Sequence, residues 1–282
     1  MDMIYINGHF YKSGDARISV FDRGLLFGDS VYEVIPVYHG QPFLVARHLH
    51  RLESSLKKAG IPDPDVDWPG LFAELIAQND SDGDIQIYLQ ITRGNQGIRK
   101  HDITAGLEPT VIAFLLHNRY PTLPEKHQGI SACIVEDIRW QRCDIKTTSM
   151  LGHVLVNDEA VSQGANTAIL SRNDFITEGS SSNVFLVDSS GLIKTPPLGT
   201  FCLPGITREI TIELIQSLRL PFSEEAIPVD ALLAAREVWI TSTTKEICPV
   251  TRINHQIIGE GTGGSVWQHL NNHYQQLVFD LS

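Results

Sequence analysis

The run Val135 to Lys146, V-E-D-I-R-W-Q-R-C-D-I-K, ends on a lysine placed where a strand gives way to a helix. Gly129 to Val135 is apolar and β-branched, which predicts a buried strand, and Ile138 and Trp140 are expected to carry it on with one face covered. Thr147-Thr148-Ser149 then opens a helix whose apolar positions Leu151, Val154, Leu155 and Val161 recur at helical spacing. A lysine between the two can point into a cleft. Desolvation favours a neutral amine over an ammonium, and a neutral amine forms a Schiff base with an aldehyde. Taken alone, Lys146 reads as an ordinary solvated lysine, as most are. Other residues along the chain must decide.

Several of them have matching chemistry. Glu178 precedes Gly179 and the small polar run Ser180 to Asn183, a pattern that can place one carboxylate in a narrow cleft or simply make a turn. The helix predicted over Arg47 to Ala59 carries Leu49, Leu52, Leu56 and Ala59 on one stripe, with Gly60 closing it. Arg51 lies beside that stripe, and its planar fork suits a phosphate; a pair with Glu53 is the plain alternative. His48 and His50 lack the spacing that puts two ligands on one helix face, so no metal site is read there. Arg99 and His101 follow a strand predicted over Asp84 to Thr92 and project the same way from an extended backbone. Together they could clamp a carboxylate, or form a basic loop tip. Gly205, before a helix with apolar positions Ile206, Ile210, Leu214 and Leu218, frees the N–H groups of Ile206 and Thr207 to hold an anion at the positive end of the helix dipole. Hydroxyls of Thr241 to Thr244, after a buried strand Val238 to Ile240, could complete such a cup.

This set, from Asp22-Arg23-Gly24 to Thr241-Ser242-Thr243-Thr244, resembles the fold-type IV, class IV aminotransferases that use pyridoxal 5′-phosphate, and among them those acting on D-amino acids. The resemblance covers nearly the whole chain, and V-E-D-I-R-W-x-R-C-D-I-K is its most specific part. It implies an α/β (α+β type) fold of two domains: a smaller N-terminal α/β domain (1–120), a linker (121–128) and a larger C-terminal pseudo-barrel domain (129–282), with the cofactor in the cleft between domains. It implies that Lys146 is the catalytic cofactor anchor and that Glu178 faces the pyridine nitrogen, keeping the ring a good electron sink. Arg51, Ser181, Gly205, Ile206, Thr207 and Thr243 would bind the cofactor, and Leu203 would pack under its ring. Tyr32 would approach the substrate, and Arg99 with His101 would trap its carboxylate across a homodimer interface. The implied reaction is ping-pong transfer of an amino group from D-alanine-type or D-glutamate-type donors to 2-oxo acids. An aminodeoxychorismate lyase, with threonine where Val34 stands here, and an L-branched-chain aminotransferase, both normally without the Arg99 and His101 pair, are alternatives on the same fold. A non-enzymatic pyridoxal phosphate carrier is a third.

Composition agrees. A chain of 282 residues, 42% hydrophobic and 20% charged, suits one large or two medium globular domains. A net charge of -11 argues against a nucleic-acid partner. No apolar run long enough to span a membrane and no basic, apolar leader at Met1 to Ile4 is read, which predicts a cytoplasmic protein. Cys133, Cys143, Cys202 and Cys248 are scattered, as in a reducing compartment. The remaining pattern predicts a hairpin at Met3 to Phe10, a helix at Leu71 to Gln78, strands at Val111 to Leu116, Thr167 to Ser171 and Asn183 to Val187, and a C-terminal helix at Val266 to Val278. Gly259, Gly261 and Gly264 match a dinucleotide fingerprint in letter only, since too little chain follows for a second parallel strand.

Overall fold

A computed structural model describes residues 2–81 and 83–280; Met1, Asp82, Leu281 and Ser282, which fall within the domain ranges expected above, lie outside the described residues. The chain divides into two compact units. One holds the residues up to Arg119 together with Ile145–Met150, the other Tyr120–Asp144 and Leu151–Asp280.

In the first unit, β1 (Met3–Ile6) and β2 (His9–Lys12) form the expected hairpin across Asn7-Gly8, both at positive φ (46° and 88°), as a two-residue turn demands. After α1 (Arg23–Phe27) come β3 (Ser30–Tyr38), β4 (Gln41–Pro42), α2 (Val45–Ala59), α3 (Trp68–Gln78), β5 (Ile85–Thr92) and β6 (Thr110–Leu116). The strands make one antiparallel sheet in the order β2-β1-β6-β5-β3-β4. Period-two alternation sorts its side chains. Val31, Ile35, Ile87, Leu89, Ile91, Val111 and Ala113 pack with Leu52 and Leu56 of α2 and Leu71, Phe72 and Leu75 of α3 in one buried core. The opposite face presents half-buried Tyr32, Val34, Tyr88, Gln90 and Phe114. Tyr32 stacks on Tyr88 at 5.8 Å, and Tyr88 on Phe114 at 4.7 Å.

In the second unit, α4 (Leu123–Gln128), β7 (Ile130–Glu136), α5 (Leu151–Ser162), β8 (Thr167–Arg172), β9 (Phe175–Gly179), β10 (Asn183–Val187), β11 (Ile193–Thr195), α6 (Ile206–Ser217), β12 (Phe222–Glu224), α7 (Val229–Leu233), β13 (Glu237–Ser242), β14 (Glu246–Ile253), β15 (Gln256–Ile257) and α8 (Ser265–Phe279) follow in order. Their sheet runs β12-β11-β10-β13-β14-β7-β8-β9, with β15 on β14. The Ile176 N–H donates to the Ile227 carbonyl at 2.8 Å and the Val229 N–H to the Asp174 carbonyl at 3.0 Å. The β9 edge thereby meets the chain that follows β12 at the other edge, so the sheet curls back on itself in barrel-like fashion.

Three expectations need correction. The stretch read as a linker contains α4, whose Thr122 and Glu125 form a capping box and whose Lys126 is buried against Glu246; those bonds hold it in the second unit. The strand from Gly129 stops at Glu136, and Ile138 and Trp140 are 59% and 49% exposed. The helix opens at Leu151, not Thr147, and buries Val156 and Ala160, leaving Leu151, Val154, Leu155 and Val161 exposed. Ile145–Met150 returns to the first unit instead: Tyr32 N–H donates to the Lys146 carbonyl at 2.9 Å and Thr148 N–H to the Ser30 carbonyl at 3.1 Å, along β3.

Gly94, which leaves β5 for the loop carrying Arg99, has φ +106° and would set a Cβ 1.9 Å from the Glu108 carbonyl oxygen. Gly97 in the same loop has φ +71° with open space around it. Gly94→Ala should therefore lower the unfolding free energy by roughly 3 kcal/mol or more, and Gly97→Ala by about 1 kcal/mol, a ranking that denaturant titration of the two variants will check.

Candidate active site

Lys146 is half-buried, and its backbone is pinned from two elements. Its carbonyl accepts from Tyr32 on β3, and its N–H donates to Ser55 Oγ of α2 at 3.3 Å. The Lys146 Nζ lies 4.2 Å from the centre of the Tyr32 ring, and the Tyr32 hydroxyl reaches Met150 Sδ at 3.8 Å. The first unit therefore brings Lys146 and Tyr32 together. Their support is a charge cluster that sequence reasoning missed. Glu33, the residue after Tyr32, faces the core with no exposure at all and receives Arg51 Nε and Nη2, both at 2.7 Å. His48 Nδ1 lies 2.8 Å from the same carboxylate. Burial pushes the Glu33 carboxyl up, but Arg51 and His48 overcome it and hold the group at about 2. Burial also lowers the proton affinity of His48 against the pull of Glu33. Arg51 thus pairs with Glu33, not with Glu53, and His50 is the exposed partner of Glu53 at 4.0 Å. A glutamate alternating with Val31 and Ile35 was the available signal, since a charge on a core face must find partners.

Arg99 and His101 are exposed, on irregular backbone between β5 and β6. Both lie against one ring: Arg99 Cζ is 5.6 Å and the His101 ring 5.3 Å from the centre of Phe27. The pair is brought together, though by a shared aromatic and not by an extended strand.

In the second unit, Glu178 at the end of β9 is 4% exposed. Its Oε1 accepts from Arg139 Nη1 at 2.5 Å, and its Oε2 from the Leu203 N–H at 2.9 Å and Asn183 Nδ2 at 3.3 Å. Burial raises the Glu178 carboxyl above its ordinary range, with Arg139 opposing. Arg139 is itself held by Asp137 through Nε at 2.8 Å and Nη2 at 2.9 Å. Leu203 is half-buried and also accepts from Asn183 Nδ2 at 2.9 Å. A Cβ on Gly205 would lie 2.0 Å from Asn183 Oδ1, so only glycine fits at the head of α6. No side chain of Gly205 can cap that helix, and Ile206 and Thr207 begin it buried. Nearby on the same sheet, the buried hydroxyls of Ser182 and Thr241 find no hydrogen-bond partner among the described residues, and Thr241 lies opposite Asn183 in register. Thr243 sits in the β13–β14 turn, half-buried, whereas Ser181 is exposed while Ser180 and Ser182 are buried. Arg139 and Asp137 lie within the motif around Lys146, yet the spacing alone did not show that they serve Glu178.

Residues 30–253 match the class IV amino-transferase family. The chain is 36% identical to a D-alanine aminotransferase of Staphylococcus epidermidis over 286 residues, covering 99% of this chain and 98% of that one. The branched-chain amino acid aminotransferase of Escherichia coli has a TM-score of 0.90 at 28% identity, covering 98% of this chain and 94% of that one. The branched-chain aminotransferase of the archaeon Thermoproteus uzoniensis, solved with norvaline, has a TM-score of 0.87 at 26% identity over 98% and 94% of the two chains. Fold and family together define a pyridoxal-phosphate-dependent transaminase. The chain belongs to the class IV aminotransferase family. The residues present fit the cofactor: a buried carboxylate, an uncapped helix start and two orphaned hydroxyls suit a phosphorylated pyridine. Among the described residues, no helix is long and apolar enough to cross a membrane.

Glu33 links this site to acid stability. Its carboxyl is held at about 2 against an unfolded value of 4.5, so its contribution is complete above 4.5 and is lost as pH falls toward 2. Glu33→Gln leaves Arg51 without its carboxylate and should cost about 3–5 kcal/mol at neutral pH. Urea unfolding from pH 7 to pH 2.5 should show that gap narrowing below pH 4.5, as the parent loses the same pair.

Proposed function

We propose that this chain transfers amino groups from D-amino acids of the D-alanine or D-glutamate type to 2-oxo acids. The observation that carries the reading is the pairing of Arg99 and His101 on Phe27, which sets a guanidinium and an imidazole side by side as donors for an α-carboxylate. The identity to D-alanine aminotransferases supports it. When bound, pyridoxal phosphate supplies an aldehyde carbon that condenses with amines and a ring that takes up the electrons released at the substrate α-carbon.

Lys146 is the residue that would hold the aldehyde carbon, and its amine, once freed, would take the proton of the substrate α-carbon. The Tyr32 ring beside Nζ limits where that amine can swing. Glu178, with its raised proton affinity, is matched to share a proton with a pyridine nitrogen, and Arg139 keeps its carboxylate aimed. In the second unit, the N–H groups of Ile206 and Thr207 at the start of α6 and the hydroxyl of Thr243 are proposed to hold the phosphate, with Ser181 and Gly205 beside it and Leu203 under the ring; Arg51, bound to Glu33, is the first unit's candidate for a phosphate contact. Because Lys146 would occupy one face of the cofactor, the place that receives the carboxylate would decide which enantiomer presents its α-hydrogen. Arg99 and His101 make that choice.

A homodimer fits this reading. Leu151, Val154, Leu155 and Val161 form an exposed apolar stripe on α5, of the kind that a second copy covers. The likeness to branched-chain aminotransferases supports L-branched-chain transfer as a second reading.

Mixing the cofactor-loaded protein with D-alanine should remove the absorbance of the aldehyde form, while L-leucine should leave it unchanged. Conversion by L-leucine alone would make the enzyme branched-chain in type. Lys146→Ala should cut turnover by at least about 10³-fold with the fold intact by circular dichroism, and full turnover would refute its role.

A further inference from the structure

Arg23 has no role in the chemistry described above, yet it is 5% exposed and fully engaged. Its Nε donates to Asp29 Oδ2 at 2.7 Å, its Nη1 to the Lys100 carbonyl at 2.8 Å and to Gln96 Oε1 at 3.2 Å, and its Nη2 to the His101 carbonyl at 3.1 Å. Gln96 turns its own amide onto the Lys100 carbonyl at 3.0 Å and accepts the Thr104 N–H at 3.2 Å. One planar guanidinium therefore grips the backbone that carries Arg99 and His101. Phe27, a turn later on α1, brings its ring 4.9 Å from Arg23 Cζ, while Arg99 and His101 lie against the same ring.

The brace continues inward. Asp29 also receives Arg93 Nε at 2.8 Å and Nη2 at 2.9 Å, and Arg93 donates to the Ala59 carbonyl at 2.8 Å and the Gly60 carbonyl at 2.5 Å. Those carbonyls end α2, the helix whose Ser55 accepts the Lys146 N–H. A single run of charge-assisted bonds thus ties the backbone of Arg99 and His101 to the helix that pins the lysine.

We propose that Arg23 and Phe27 are positioning residues for the substrate carboxylate, an inference that rests on the D-amino-acid reading of Arg99 and His101. Arg23 fixes the loop backbone, and Phe27 fixes the exposed Arg99 and His101 side chains on one aromatic surface. A free arginine loses rotamer freedom when it takes an anion, and that loss weakens binding; a ring that already holds the guanidinium removes part of it beforehand.

The test uses the cofactor-loaded enzyme. It compares kcat and KM for D-alanine, and inhibition by propionate, which is D-alanine without its amine, in Phe27→Leu, Arg23→Lys, Arg99→Ala and the double variant Phe27→Leu/Arg99→Ala. Phe27→Leu should raise KM and the propionate inhibition constant together by about 3- to 5-fold, the size of an exposed cation–π contact, with a smaller change in kcat. Arg23→Lys, which keeps the charge toward Asp29 but loses the fork, should shift both constants the same way; if it does not fold, Phe27→Leu carries the test. The double variant should bind propionate worse than Arg99→Ala alone by less than the full Phe27→Leu factor, because only the His101 contact with the ring is left to lose. If Arg99→Ala raises both constants while Phe27→Leu leaves them unchanged, or if the two losses multiply, the positioning role is wrong and the carboxylate trap stands. If Arg99→Ala changes neither constant, the trap reading fails and this inference falls with it.

Discussion

The first unit depends on a buried carboxylate that cannot stand alone. Glu33 is the one acidic residue on the core face of β3, where an unpaired charge would be prohibitively costly. Arg51 and His48 meet it from α2, so the sheet and the helix are joined by a charge cluster set within apolar contacts. Such a pair adds little net stability over a well-packed apolar substitute, but its two-pronged contact joins α2 to β3 in the register seen here. With α2 held in that register, Ser55 falls beside the Lys146 N–H, while β3 offers its Tyr32 N–H to the Lys146 carbonyl. The lysine's place therefore follows from a salt bridge that never touches it.

The second unit repeats the device with different geometry. Arg139 lies between Asp137 and Glu178, two acids for one guanidinium, and Arg172 adds a second cation 3.4 Å from Asp137. Asp137 takes the bidentate contact and, despite burial, is held below the usual carboxylate range by Arg139. Glu178 receives only one guanidinium nitrogen and stays above that range because burial outweighs it. The two acids are thereby pushed apart, one locked as an anion and the other still able to share a proton. That division of roles is what a carboxylate facing a pyridine nitrogen requires.

Much of this was legible in the amino-acid sequence because it rests on local signals. The alternation in Ile85–Thr92, the Asn7-Gly8 turn, the stripe and Gly60 cap of α2, and the glycine before α6 each predict their element from neighbours in the chain. Errors arose where tertiary contacts override pattern. Ile138 and Trp140 alternate like a strand, but their backbone leaves the sheet so that Asp137 and Arg139 can turn inward toward Glu178. The apolar face of α5 is periodic because it is apolar, not because this chain buries it. Arg51 was found by its type, but its partner was not, since Glu33 lies 18 positions away and only the fold brings them together. The serine run likewise identified the β9–β10 corner without showing that Ser181 points outward between two buried neighbours.

A contrast in pairing separates the groups that hold from the group proposed to react. Arg23, Arg51, Arg93 and Arg139 each clasp a carboxylate, which fixes their guanidinium planes and lets them orient backbone or other acids. Lys146 makes no ion pair among the described residues, and its Nζ faces an aromatic ring in place of an acid. A carboxylate there would stabilise the protonated form and oppose attack on a carbonyl carbon, whereas a tyrosine ring restrains the chain at far smaller electrostatic cost. Arg99 and His101 likewise rest on Phe27, with no carboxylate of their own among the described residues, as their proposed role toward an anion would require. Rigid carboxylate pairs build the frame, and aromatic rings lie beside the side chains proposed to meet the cofactor and the substrate.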